Sequence, residues 1–165
     1  WPGTIPANAS TDRIIHCLDF YPTCLDLTGR GWQPSKDDHP LDGESFANVL
    51  SAPNNPSPRG PIFYLFPGYM DSRAQPTVVV IDRVDGKTYK LFYYYESNSW
   101  ELYCLTDDPS ETKNLVQNLP RVAATLSQTI NRWLDEKSPT WRPAFPIKKS
   151  DGRSAGPPPV FQVAK

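Results

Sequence analysis

Five apolar, β-branched or aromatic runs alternate with polar turn residues along this 165-residue chain, and one later stretch changes to helical spacing. The first run, RIIHCL at 13–18, predicts a short strand bounded upstream by polar turn residues. Asp19 follows as an N-cap for the helix FYPTCLDLT, with Pro22 confined to the first turn and Gly29 as the C′ residue. This strand–helix unit is too small to bury both strand faces and reads as the last piece of a larger sheet. A polar loop over 30–43 ends in LDGESF, a short helix is expected at 44–51, and 52–61 (APNNPSPRGP) is a proline-rich linker. The other four runs predict strands at 62–66, 77–83, 87–95 and 100–105. Asp85-Gly86 is a hairpin signal and Ser97-Asn98-Ser99 a second reversal, so three of these strands form an antiparallel meander. Val122, Leu126, Ile130, Trp133 and Leu134 then share one helical stripe, which should lie across that sheet. From Ser138 onward the chain lacks periodicity and is rich in Pro and Gly, predicting an extended tail. The class is α+β: a small antiparallel sheet of about four strands against a C-terminal helix, preceded by the strand–helix unit. The expected divisions are 1–43, 44–137 and the tail, 138–165.

Between the last strand and the helix lies ELYCLTDDPSETKNL. Its acidic, proline-broken centre could be a metal loop, an acid/base pair or a folding signal. Asp108 at N-cap, Pro109 at N1 and Glu111 at N3 make a capping box for a short helix, with Asn114 as its terminator. Asp108 would accept a first-turn N–H while Glu111 reaches back to the Asp108 N–H. A metal loop needs more oxygen ligands at ordered spacing than this stretch supplies.

Composition narrows the function classes. There are 19 prolines where average usage of about 5% would give roughly eight, which favours long irregular connections over a helical bundle. Seventeen basic and 18 acidic residues, well mixed, leave no basic footprint for a nucleic acid. No apolar run approaches the ~20 residues of a membrane span. The opening WPGTIPANAS has no initiator Met and no leader pattern, and the expectation is a fragment. Cys17, Cys24 and Cys104 show no metal spacing and are expected as buried free thiols.

Taken in order, WPGTIP, LDFYPTCLDLTG, LDGESF, the Pro-Arg-Gly-Pro at 58–61, GKTYKL and ELYCLTDDPSETKNL resemble the C-terminal third of a formylglycine-dependent sulfatase. The type is the arylsulfatase one, in the alkaline-phosphatase-like superfamily, and the similarity runs from Trp1 to about Trp133. The resemblance implies a parent that hydrolyses sulfate esters on a Ca²⁺-bearing α/β domain, with a formylglycine nucleophile made from a C/S-x-P-x-R motif. It also implies a smaller C-terminal subdomain that packs on the catalytic domain and shapes the substrate cleft, and favours a secreted, periplasmic or lysosomal setting. This chain holds no C/S-x-P-x-R pattern, so formylglycine and Ca²⁺ are expected in the catalytic domain rather than here. On this reading residues 1–43 end the catalytic domain and 44–137 are the C-terminal subdomain. The expected partners are that catalytic domain and a sulfated small molecule or glycan. Many relatives read Y-H-F-P-H-Y where this chain has Tyr64-Leu65-Phe66-Pro67-Gly68-Tyr69. If positions 65 and 68 face the cleft, substrate preference or activity is altered; if they are packing positions, nothing follows.

Tyr69, Asp71 and Arg73 are the candidates for lining that cleft, because they sit on the loop the resemblance implies to vary with substrate. His16 reads as a satisfied core residue and His39, in KDDHP, as a solvated loop residue. Arg59, Arg73, Arg83, Lys87 and Lys90 would favour a sulfated ligand, yet each alone reads as ordinary surface charge. Tyr93, Tyr94 and Tyr95 alternate across a strand, so at least one faces outward, as a sugar platform or as cross-strand packing. Two rival readings are a non-catalytic module that binds a sulfated glycan or a protein partner, and a hydrolase pairing a cysteine with His16.

Overall fold

TVVVIDRV, the most β-branched run of the chain, becomes one of two central strands in a four-stranded sheet. The computed structural model describes residues 1–31, 41–54, 59–70, 74–137 and 145–163. The chain divides into two compact units, Trp1–Gly60 and Pro61–Lys165.

In the second unit β1 (Ile62–Phe66), β2 (Thr77–Val84), β3 (Lys87–Tyr94) and β4 (Ser99–Cys104) pair antiparallel in sequence order, so all four form the meander. Asp85 and Gly86 both take positive φ, 49° and 80°, the geometry a two-residue hairpin needs, and Asn98 does the same at 49° in the next reversal. Period-two alternation gives the sheet two faces. On one, Val78, Val80, Leu91, Tyr93, Leu102 and Cys104 are buried against Ala123, Leu126, Ile130 and Leu134 of the long helix Pro120–Lys137. Phe63 and Trp133 stack at 4.6 Å along the same seam. Each fully buried aliphatic side chain contributes about 1.5–3 kcal/mol, which is why this seam dominates the unit. The other face carries the row Tyr64, Val79, Phe92 and Glu101 across all four strands. Tyr93 and Tyr95 are buried and Tyr94 lies on the other face, donating from its hydroxyl to Glu101 (3.1 Å). Tyr93 packs across the strands on Trp100 (4.6 Å between ring centroids), Tyr95 packs on Tyr93 and Phe145, and Tyr94 stacks on Phe92.

Residues 145–163 have little regular structure, apart from a bridge between Ile147 and Ser154, but they are not loose from the core. Phe145, Ala155 and Phe161 pack on it, and the Phe161 N–H donates to the buried Ser127 hydroxyl (2.9 Å).

The first unit departs from the sequence reading at its start. No strand forms over 13–18; instead His16 caps a 3₁₀ turn, Cys17–Asp19, which leads into α1 (Phe20–Leu27), and a second short helix, α2, spans Ala47–Ser51. The long helix of the other unit is α3. A strand here has no ladder partner among the described residues, and the backbone of residues 16–19 is instead closed by a reciprocal cap: the His16 ring accepts the Leu18 N–H while Asp19 accepts the His16 N–H (2.7 Å). Gly29 sits at φ 70° just past the end of α1, as its C′ role requires. Cys17 and Cys24 are exposed free thiols and Cys104 alone is buried, correcting the expectation for two of the three.

The capping box at Asp108 is half realised. Asp108 accepts the N–H groups of Thr112 (2.8 Å) and Lys113 (2.9 Å), closing a turn. No helix follows, because Glu111 takes φ 54° and breaks helical geometry. Glu111 pairs with Lys90 (2.8 Å) instead of reaching back, and Asn114 accepts the Leu102 and Val116 N–H groups rather than ending a helix.

Candidate functional site

Two polar clusters stand out, one in each unit, and they differ in what they can do. In the first unit Asp19 is fully buried. Its carboxylate accepts the His16 N–H (2.7 Å), the Glu44 N–H (2.8 Å) and two bonds from Arg59, Nε at 3.0 Å and Nη2 at 2.6 Å. Burial opposes its ionisation, but Arg59 and the two backbone donors outweigh burial and hold the carboxyl below its ordinary value of 3.8. Thr23, one turn into α1, donates to the Asp19 carbonyl (2.6 Å) and accepts the Phe46 N–H (3.0 Å). Gly43 completes the junction: a Cβ there would meet the Leu18 carbonyl oxygen at 2.1 Å, so only glycine lets the segment before Glu44 approach. Three sequence motifs, LDFYPT, LDGESF and Pro-Arg-Gly-Pro, thus meet at one ion pair. Every acceptor position on Asp19 is filled, so the cluster is a structural junction rather than a reactive one. Arg59, expected as surface charge, is 93% buried in its side chain by this contact. Asp19 itself makes no side-chain bond to α1, contrary to its expected N-cap role.

In the second unit Tyr69 stands just before a tight neck in which Met70 and Ala74 exchange backbone hydrogen bonds (3.0 and 3.3 Å). Its hydroxyl donates to the Glu96 carboxylate and accepts the Lys149 N–H (2.9 Å), while the Lys149 ammonium lies 4.2 Å from its ring centroid. Glu96 also accepts the N–H groups of Lys149 (3.0 Å) and Ser150 (2.6 Å). The Tyr69 hydroxyl first, and then Ser150, hold the Glu96 carboxyl down to about 2. Burial, and then the neighbouring Glu96, push the Tyr69 phenol up. A carboxylate so saturated with donors is a poor base, and this phenol a poor acid; the cluster holds loops and does not move protons. Asp71 and Arg73, the other two cleft candidates, lie outside the described residues, as does His39. Glu96 and Lys149 were not among the sequence candidates; they lie 27 and 80 residues from Tyr69, and no local spacing connects them.

The remaining basic candidates are engaged locally. Arg83 donates to the Gly86 carbonyl (2.9 Å), Lys87 pairs with Asp107 (2.5 Å) and Lys90 with Glu111. Leu65 packs against the core on the helix-covered face, which makes position 65 a packing position. His16 is a half-buried cap rather than a core residue. Its Nδ1 is 3.6 Å from the Cys17 sulfur but already accepts the Leu18 N–H (3.2 Å), so the nitrogen nearest the thiol is not available as a base. Among the described residues no group of three or more His, Cys, Asp or Glu could hold a metal ion, so the implied Ca²⁺ has no ligand set among them.

The family described as N-sulphoglucosamine sulphohydrolase, C-terminal, matches residues 1–138. The chain belongs to this sulfatase family. A protein described as a sulfatase from Formosa agariphila is 37% identical over 142 residues, covering 81% of this chain and 26% of its own length. The chain thus spans about a quarter of that relative. Among solved structures, the fold is shared with Ps i-CgsB in complex with k-i-k-neocarrahexaose (TM-score 0.61, 20% identity, 92% of this chain and 30% of that one). It is shared too with a 2-O GAG sulfatase (TM-score 0.52, 23% identity, 73% of this chain and 24% of that one). The four-stranded sheet with its C-terminal helix is the architecture expected of a sulfatase C-terminal subdomain.

Proposed function

We propose that this chain is the C-terminal part of a sulfuric ester hydrolase, that it supports the catalytic domain, and that it helps shape the substrate cleft. The observation that carries the reading is the family match over residues 1–138, in a chain that covers only about a quarter of its sulfatase relative. Surface chemistry supports the supporting role. Ile15, Leu18, Phe20 and Tyr21 of the first unit are each about half exposed, between 48% and 56%, around the junction at Asp19. A cluster of large apolar side chains left in water at this density marks a surface that packs on something. The catalytic domain is the proposed cover, and it would house the formylglycine and Ca²⁺. The described chemistry of the family and its relatives favours a sulfated carbohydrate as substrate, with Tyr69, Asp71 and Arg73 as the cleft-lining candidates.

The test compares two purified proteins on a chromogenic aryl sulfate and a panel of sulfated sugars. The full-length protein should turn over at least one of them in a chelator-sensitive reaction, and the 165-residue chain none. Turnover by the 165-residue chain would contradict the supporting role. A full-length protein that binds sulfated glycans without hydrolysing them would replace this reading with the non-catalytic module.

A further inference from the structure

The cleft-lining reading leaves open what holds Tyr69 in place, and the second unit contains one arrangement that does so from a distance. Glu96 sits where β3 ends, at the start of the turn into β4. Its two carboxylate oxygens receive three donors from two segments remote from each other: the Tyr69 hydroxyl, and the consecutive N–H groups of Lys149 and Ser150. The Lys149 N–H also donates to the Tyr69 oxygen, so phenol, carboxylate and tail backbone close a three-membered ring of hydrogen bonds. The tail is held there from both sides. Before the contact Phe145 packs against Tyr95, and after it Phe161 meets Trp100 and the buried Ser127. Lys148 reaches the neighbouring turn at Asn98 (3.4 Å). None of these tail residues lies within the span 1–138 that matches the family.

We infer that Glu96 is a positioning residue: it ties the tail at Lys149 and Ser150 to Tyr69, and so fixes the Met70–Ala74 neck of the loop assigned to the substrate cleft. The tie rests on geometry alone, while its catalytic consequence rests on the cleft reading above. The backbone donors make it selective for an acceptor at position 96. Alanine there removes every bond in the ring except the one from the Lys149 N–H to Tyr69. Glutamine keeps one carbonyl acceptor for Ser150 and an amide that can donate to the phenol oxygen, so it should restore the tie in part. Replacing Lys149 by Ala removes the ammonium over the ring but leaves its N–H, and should disturb the ring little.

Two readouts separate the tie from its consequence. The first is amide hydrogen exchange on the full chain carrying Glu96→Ala, Glu96→Gln or Lys149→Ala. With alanine at 96, protection of the Lys149 and Ser150 amides should fall by roughly tenfold, and that of Met70 and Ala74 should fall with it. Glutamine should give an intermediate loss and Lys149→Ala little. If Met70 and Ala74 keep their protection while the tail amides lose theirs, Glu96 anchors only the tail and the inference is wrong. The second readout is steady-state kinetics of the full-length protein. Glu96→Ala should raise KM for a sulfated polysaccharide several-fold at nearly constant kcat, leave a small aryl sulfate unchanged, and be partly rescued by Glu96→Gln. A loosened neck with unchanged KM keeps the tie and overturns the cleft reading; equal loss of kcat on both substrates overturns the positioning role, since global destabilisation then accounts for it.

Discussion

Replacing Asp19 by Ala should be the most costly single polar substitution in the first unit. The native carboxylate is fully buried, and the Arg59 side chain that faces it is only 7% exposed. Removing one partner of such a pair leaves a buried cation without its counter-charge, a loss of about 3–5 kcal/mol. Two backbone donors, from His16 and Glu44, are stranded at the same time. Glu44 offers Arg59 only a partial substitute, at 3.7 Å and from a side chain that is 47% exposed. Arg59→Ala should cost a similar amount, and the double variant should fall well short of the sum, because the charge pair is lost once. It should still be destabilised, since the two backbone N–H groups stay unpaired at about 1–3 kcal/mol each. Glu44→Ala is the control and should cost about 1 kcal/mol or less. Exchange of the His16 and Glu44 amides reads this junction directly, and urea denaturation of the chain gives the free energy. The pH dependence has a definite sign. Asp19 has a folded value depressed below 3.8, so its contribution is complete above that value and is lost as the pH falls through the folded one. An Asp19→Ala chain as stable as Glu44→Ala would refute the argument, because the bidentate pair would then contribute nothing beyond an exposed charge.

Three further outcomes follow from the contacts. Asp108→Ala should cost about 1 kcal/mol, as its carboxylate closes the turn on Thr112 and Lys113, while Glu111→Ala, which loses only a partly exposed pair with Lys90, should cost about 0.2–1 kcal/mol; denaturation midpoints in urea decide the order. The Glu96 tie should hold from neutral pH down past the ordinary carboxyl value of 4.5 and open as the pH approaches about 2, read from Tyr69 side-chain NMR shifts; opening already at pH 5 would contradict the depressed value. The joint replacement of Ile15, Leu18 and Tyr21 by Ser should lower binding of a hydrophobic dye to the chain, and unchanged dye binding would show that the exposed cluster is not the adhesive surface.

The sheet and long helix were legible because their signals are local. Alternation over 77–84 and 87–94, a hairpin dipeptide at 85–86, and a stripe ending in Trp133 and Leu134 each lie within a few residues of what they determine. The apolar run at 13–18 carried the same signal without a partner strand, and pairing cannot be read from one strand. Asp108 was placed as an N-cap, and its role as a backbone acceptor was legible because the bonds span only four and five residues, whereas the helix it should have opened was cancelled by the backbone at Glu111. Asp19 looked like an N-cap because its real partners, Glu44 and Arg59, lie 25 and 40 residues away. Around Tyr69 the loop was visible and its anchors were not. Glu96 follows three tyrosines at a strand end, and Lys149 sits in a segment with no periodicity, so only the fold brings them together.

The order in which the second unit is assembled follows from where its last segment lies. Each strand pairs with its sequence neighbour, so ladders from β1 to β4 close through short connections and form early. Phe145, Ala155 and Phe161 belong to residues made after everything they cover, and Ser127 waits 34 residues for the N–H that it accepts. During synthesis the sheet and α3 therefore emerge with Tyr95 and Trp100 still uncovered, and the apolar seam is sealed only when the tail clears the ribosome. A pause in synthesis after α3 has left the ribosome but before Phe145 does would hold a folded but sticky intermediate, the state in which this domain is most open to capture by a chaperone.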